Sequence, residues 1–185
     1  MNKWNQKRKT MRRYDLTAEM YEIRYAEEQT AKYKAALEHL NILPRSRVVD
    51  VGCGTGLLFS QVAAEAQTVV GVDISGKLLL QAKERARIFR KVHLVQADAD
   101  HLPFKNDHFS VVFAFTVLQN LPKPLETLRE IKRIVEYGAY VVVSGLKKVF
   151  SLEAFQALVQ DAGLQVVSLD DTDALKCYVA VTVRN

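Results

Sequence analysis

Nine consecutive residues, Val48-Val49-Asp50-Val51-Gly52-Cys53-Gly54-Thr55-Gly56, carry the densest chemical signal in the chain. Glycines at 52, 54 and 56 permit positive φ and let a ligand approach the backbone with no Cβ in the way. The spacing is G-x-G-x-G, distinct from the G-x-G-x-x-G of dinucleotide-binding turns. Leu57 and Leu58 stand where a phosphate-binding loop would have Lys and Ser or Thr. Asp50, just before the turn, would repel a pyrophosphate and suits a cationic ligand instead. Two more carboxylates, Asp73 and Asp98, follow the next two apolar runs. From those positions Asp73 can take both hydroxyls of a ribose, and Asp98 can accept from an exocyclic amine. Any one of these acids reads equally well as a helix cap or a loop acid. Three at equivalent positions around one glycine turn read as a site.

Such a site needs elements that bring the three acids to one edge. Apolar, β-branched runs recur at 47–51, 68–73, 92–98, 109–115 and 139–145, and helix-patterned segments at 56–66, 75–89, 124–136 and 151–163 separate them. Strands alternating with helices of this length predict right-handed crossovers and a mostly parallel sheet, with ligands at the carboxyl ends of its strands. The last two runs, 164–171 and 175–183, are joined too closely for a crossover, which predicts an antiparallel hairpin at one end of the sheet. The fold expected is a doubly wound, seven-stranded, mostly parallel α/β sheet whose last strand is antiparallel. Residues 14–41, without Gly or Pro and rich in Ala, Glu and Lys, read as a helical appendage ended by Asn41 and Pro44.

Composition narrows the function classes. The chain has 185 residues, 49% hydrophobic and 25% charged, which is ordinary for one soluble domain with a sizeable core. No apolar run approaches the ~18 residues of a membrane span, and no apolar stretch follows the basic start, so neither a membrane protein nor a secretory signal is expected. Two cysteines, Cys53 and Cys177, make no disulfide framework, and the four histidines show no metal-ligand spacing. Six of the 26 Lys and Arg residues, and none of the 21 acids, fall in residues 1–13, so the body is close to neutral. The expected organisation is a basic flexible tail over 1–13 and a single domain over 14–185. The domain divides into a helical lid over 14–44 and a core over 45–185.

At this point the chain resembles the class I S-adenosylmethionine-dependent methyltransferases, in the group that includes ubiquinone and menaquinone biosynthesis enzymes. The matching stretches are VVDVGCGTG (48–56), GVDIS (71–75), QADADHLPF (96–104), FAFTVLQNLP (113–122) and LREIKRIVEYGAYVVV (128–143). The resemblance implies a Rossmann-like methyltransferase fold, a cytoplasmic enzyme, S-adenosyl-L-methionine as cofactor with S-adenosyl-L-homocysteine as product, and no metal. It implies that Asp50, Gly52 and Gly54 contact the methionine moiety, with Cys53 and Gly56 in the same turn. Asp73 would bind the ribose, Ile74 pack on the adenine, and Asp98 and Ala99 address its edge. Phe115 and Thr116 would lie by the cofactor at the end of the fourth strand. YDLTAEMYE (14–22) looks like the family's lid segment, which would put Tyr14, Tyr21 and Arg24 or Tyr25 over the cofactor. Three departures stand out. Ser110 replaces the usual Asp, Gln119-Asn120 stand where a His is common, and Gly138-Ala139 replaces a glycine pair.

Methyl transfer from a sulfonium is an in-line displacement with a good leaving group, so positioning and desolvation supply much of the acceleration. A hydroxyl or carbon acid usually needs a base as well. The catalytic candidates are Thr116, Gln119, Asn120, Tyr21 and Tyr25, none a strong base at neutral pH. His101 reads as a surface loop residue, Cys53 as a small residue that fits its turn, and Cys177 as core. Short connections after the fifth strand and between the last two leave no room for a buried acceptor pocket. With the basic tail, this favours RNA, tRNA in particular, or a translation-related protein as acceptor. The alternatives are a small-molecule acceptor (a quinone, phenol or metabolite amine) and a non-catalytic cofactor-binding scaffold. A small activator subunit or a second copy could add along 92–97, a short strand at the expected sheet edge.

Overall fold

The computed structural model describes residues 3–185, with side chains for all of these except 17–25. Seven strands form one sheet in the order β3-β2-β1-β4-β5-β7-β6. They are β1 (Arg47–Val51), β2 (Thr68–Asp73), β3 (Val92–Gln96), β4 (Phe109–Ala114), β5 (Val135–Leu146), β6 (Leu164–Asp170) and β7 (Cys177–Arg184). The β1–β2, β2–β3, β1–β4 and β4–β5 pairings are parallel, while β7 runs antiparallel to both β5 and β6. The chain order reverses between β1 and β4, and there a crevice opens at the strands' carboxyl ends.

The helices are α1 (Lys3–Leu37), α2 (Phe59–Val62), α3 (Gly76–Ala86), α4 (Pro124–Ile134) and α5 (Leu152–Asp161). On one face of the sheet, Leu128, Ile131 and Ile134 of α4 and Phe155 and Val159 of α5 are buried with Val49, Val112, Val141 and Val143. Leu128, Ile131 and Ile134 recur every three residues, with Thr127 four before Ile131, and so give one buried stripe, which is why that segment is a helix. On the other face, Tyr33 and Ala36 of α1, Phe59 and Val62 of α2 and Ala82 of α3 cover Val48, Val69, Phe113 and Val142. Strands covered on both faces read as continuous apolar runs, as β1, β4 and the centre of β5 do. Ser75 and Ser151 cap α3 and α5 by accepting from the N–H groups of Leu78 and Ala154.

Three elements differ from expectation. The helix expected over 56–66 shrinks to the four residues of α2, because turn hydrogen bonds from Gly56 N–H to Cys53 O and from Phe59 N–H to Gly56 O occupy its start. Strand β5 begins four residues early, at Val135, and a register shift against β4 absorbs the extra length. Gly138, at φ +73, lies in that irregular stretch, where a residue with a Cβ would be strained. The expected flexible tail is helical from Lys3, so α1 is one element of 35 residues. At 1.5 Å per residue it reaches about 52 Å, long enough to pack its second half on the sheet and carry its first half over the crevice.

Candidate active site

The crevice is an open cleft of about 710 Å³ above the carboxyl ends of β1, β2, β3 and β4, with α1 across its mouth. Its floor is the glycine turn. Gly52, Gly54 and Gly56 have φ of +76, +56 and +79, the left-handed region that costs an L-residue about 1–2 kcal/mol. At Gly52 there is also no room, since a Cβ would lie 2.3 Å from Val117 Cγ2.

Asp73 fastens the turn to β2. Its Oδ2 accepts from the N–H of Gly54 at 2.9 Å and its Oδ1 from the N–H of Ser75 at 2.8 Å. Burial raises its carboxyl above the ordinary range, and the hydrogen bonds from Ser75, Gly54 and Ile74 work against that rise. Each oxygen keeps lone pairs free, which is what two ribose hydroxyls require. Asp50 lies under the turn, 4% exposed. Burial, followed by the charge of Asp73, pushes its carboxyl from 3.8 up to about 8. A cation arriving beside this pair would relieve their repulsion, whereas a phosphate would add to it.

The cleft wall holds Gly52, Gly54, Asp73, Ile74, Asp98, Ala99, Phe115 and Thr116, all expected from sequence. Asp50, Cys53 and Gly56 are not wall residues. They form the buried underside of the turn, and the Cys53 thiol, pushed well up by burial, is no nucleophile there. Of the catalytic candidates, Thr116 and Asn120 line the cleft. Gln119 does not, and its Oε1 is buried with no hydrogen-bond partner among the described residues. The side chains of Tyr21, Arg24 and Tyr25 lie outside the described residues. His101 is exposed in the loop after β3, and Cys177 is buried, both as expected.

Helix α1 adds residues that the sequence did not single out. Lys7, Thr10 and Tyr14 all line the cleft, and only Tyr14 was anticipated, through the resemblance. The Lys7 ammonium is 6% exposed, donates to Asp98 Oδ1 at 2.6 Å and pairs with Asp100. Ser75 Oγ donates to Asp15 at 2.5 Å. Asn120 is wholly engaged: its amide NH2 donates to Tyr14 Oη (3.0 Å) and to Thr116 O (2.8 Å), and its oxygen accepts from Arg13 at 2.8 Å. Burial pushes the Tyr14 phenol up, so it stays protonated at neutral pH. Lys3, Lys7 and Arg13 of the basic arm are thus spent on Glu126, on the Asp98–Asp100 pair and on Asn120. A signal for this was present in the sequence: no Gly or Pro occurs before Pro44, so the helical pattern had no reason to begin at Tyr14. Among the described residues the cleft wall contains no histidine or glutamate, and no three metal-ligating side chains converge.

A family model described as a methyltransferase domain matches residues 49–143, just over half of the chain, including the glycine turn, Asp73 and Asp98. The chain belongs to the methyltransferase domain family. Within the family it is 31% identical over 112 residues to the demethylmenaquinone methyltransferase of Staphylococcus saprophyticus, covering 59% of this chain and 48% of that one. It is 30% identical over 155 residues to the ubiquinone/menaquinone biosynthesis C-methyltransferase of Vibrio vulnificus, covering 76% and 58%. The chain therefore spans about half the length of these relatives. A family fold at 19% identity, with a TM-score of 0.79 over 92% of this chain and 95% of the other, is the methyltransferase of Haloferax volcanii described in complex with the Trm112 methyltransferase activator.

Proposed function

We propose that the protein transfers a methyl group from S-adenosylmethionine to a small-molecule acceptor of the quinol or phenol class. The observation that carries the cofactor half of this reading is the pair of buried acids at one glycine turn, Asp50 beneath it and Asp73 behind it. That arrangement fits a sulfonium and a ribose, and it does not fit a pyrophosphate. Gly52 and Gly54 would give the methionine portion a floor without Cβ atoms, and Asp73 would hold the ribose. Ile74, Leu78, Ala97 and Ala99 would enclose an adenine, with Asp98 at its edge. S-adenosylmethionine, when bound, supplies an electrophilic methyl carbon on a positively charged sulfur. In the transfer an electron pair of the acceptor forms the new bond to carbon, the carbon–sulfur pair returns to sulfur, and an acceptor proton leaves to solvent. Tyr14, Thr116 and Asn120 line the cleft on the β4 side and would orient the acceptor.

The acceptor class is supported by relatives named for quinone methylation, and α1 supplies the cover over the cleft that the short connections lack. The same helix weakens the RNA expectation, since Lys3 and Lys7 of the basic arm are paired with the protein's own acids. A partner at the exposed edge of β3 belongs to this proposal as well; a pull-down from native extract tests it. The acceptor is tested by incubating the full chain and tritiated S-adenosylmethionine with native extract, then separating RNA, protein and small molecules. Counts in the organic-extractable pool are expected. Counts confined to RNA or protein would overturn the small-molecule reading.

A further inference from the structure

We infer that Lys32, acting through the hydroxyl of Thr116, is a positioning residue that lets the site take its acceptor as an oxygen anion. This inference rests on the small-molecule reading above. Thr116 follows β4 at the cleft and holds φ +61, a region a β-branched residue adopts only where its surroundings impose it. Three contacts do so. Its N–H donates to Ser144 Oγ at 2.8 Å, and its Oγ1 accepts from Gln29 Nε2 at 3.0 Å and from Lys32 Nζ at 2.9 Å. A hydroxyl has two acceptor sites and one proton, so with both sites engaged Thr116 is left to donate. The Gln29 carbonyl, 3.4 Å away, is a long contact that a charged oxygen in the cleft would displace.

The charge behind this donor is unusual. Lys32 is 1% exposed and its ammonium sits 3.3 Å from Glu28, but Glu28 also faces Lys176 at 3.5 Å. Among the described residues the buried Lys32 and the exposed Lys176 share this carboxylate, and Cys177 Sγ, 3.8 Å from the Lys32 ammonium, is a thiol pushed up by burial and so uncharged. A buried cation that shares its described carboxylate with a second lysine is stabilised further by an anion brought close to it. A hydroxyl that accepts from an ammonium is also a stronger donor than an isolated one. The cluster thus places a polarised O–H, with positive charge behind it, on a residue that lines the acceptor side of the cleft.

A phenol or enol acceptor would lose its proton to solvent on binding, and its oxyanion would accept from Thr116 Oγ1. The anion's electron pair, on oxygen or on a conjugated carbon, is then ready for the methyl carbon without a side-chain base. This accounts for a cleft wall that holds no histidine or glutamate among its described residues. It also selects against protonated amines, which the same cation repels.

The test uses 4-nitrophenol, whose anion alone absorbs in the visible, added to the full chain saturated with S-adenosylhomocysteine. The ratio of anion to phenol in the bound probe should exceed that in free solution about tenfold, a shift of about one pH unit. Thr116→Val and Lys32→Met should abolish the shift, and Thr116→Ser and Lys32→Arg should retain most of it. If Lys32→Met fails to fold, the Val and Ser variants at 116 decide alone. A bound probe that titrates like the free one, a shift that persists in Thr116→Val, or no binding at all would overturn the inference. Failure of the small-molecule reading is distinguishable, because it shows as tritium in RNA or protein whatever the probe does.

Discussion

On the β1–β3 side of the cleft, the wall residues that the sheet supplies come from one stretch, Val51 to Ala99, with Lys7 of α1 paired onto Asp98. Glycines set the shape there, and Asp73 holds it through two backbone N–H groups. On the β4 side the polar groups are side chains drawn from distant parts of the chain: Tyr14, Gln29, Lys32, Thr116, Asn120, Ser144 and Cys177. The first half is a backbone cradle whose requirements fall on a few glycines and acids. The second is a side-chain network whose members can change without moving the sheet. One half is suited to a constant ligand and the other to a variable one, in keeping with a single fold that serves many chemistries.

Substitutions should separate the halves. The largest effect is expected for Asp73→Asn, which weakens two backbone hydrogen bonds and removes a charged acceptor. Hydrogen bonds to charged groups are worth ~1.5–3 kcal/mol, so calorimetry should show S-adenosylmethionine affinity falling about 100-fold or more. Thr116→Val should act on the other half alone, lowering kcat/KM for the acceptor about 30-fold, roughly 2 kcal/mol, while cofactor affinity changes less than twofold. Equal losses in both would mean that the cleft is one unit.

Asp50 gives a pH prediction. In the fold its carboxyl keeps its proton up to about pH 8, against 3.8 ordinarily, so the folded state binds more protons than the unfolded one between those values. Its contribution to stability therefore falls as pH rises through that window. Asp50→Asn should remove the loss, leaving the ligand-free variant more stable than the parent at pH 8, with the difference shrinking toward pH 4. Thermal unfolding at several pH values checks this. Lys7→Met should free the first half of α1 from Asp98 and Asp100, raising amide exchange over residues 3–16 about fivefold and leaving exchange over 26–37 unchanged. The smallest effect belongs to Glu126→Gln. Its partners Lys3 and Lys123 are exposed, and the unfolding midpoint should not move measurably.

The β1–β3 half was legible in the sequence for the reason that makes it a cradle. Positive-φ glycines and strand-end acids leave local marks, so Gly52, Gly54, Asp73 and Asp98 could be placed from a single stretch. The fold was legible too, through strand and helix periods and the short link between β6 and β7. Helix boundaries were less so, because the turn hydrogen bonds that delay α2 have no side-chain signature. The β4 half was largely hidden. Glu28 and Lys32, four residues apart in a helical segment, carry no local mark of burial, and only tertiary packing against β4 and β7 buries the ammonium. The arm over 1–13 was misjudged because its charge suggested solvation, whereas Asp98 and Asp100 supply the partners that hold it down.

The most direct measurement is calorimetric titration of the full chain and of its Asp73→Asn variant with S-adenosylmethionine, S-adenosylhomocysteine, NAD and ATP. Saturable one-to-one heat from the first two ligands, lost in the variant, with none from NAD or ATP, is the predicted result. Heat from NAD or ATP without any from the adenosyl sulfur compounds would contradict the account.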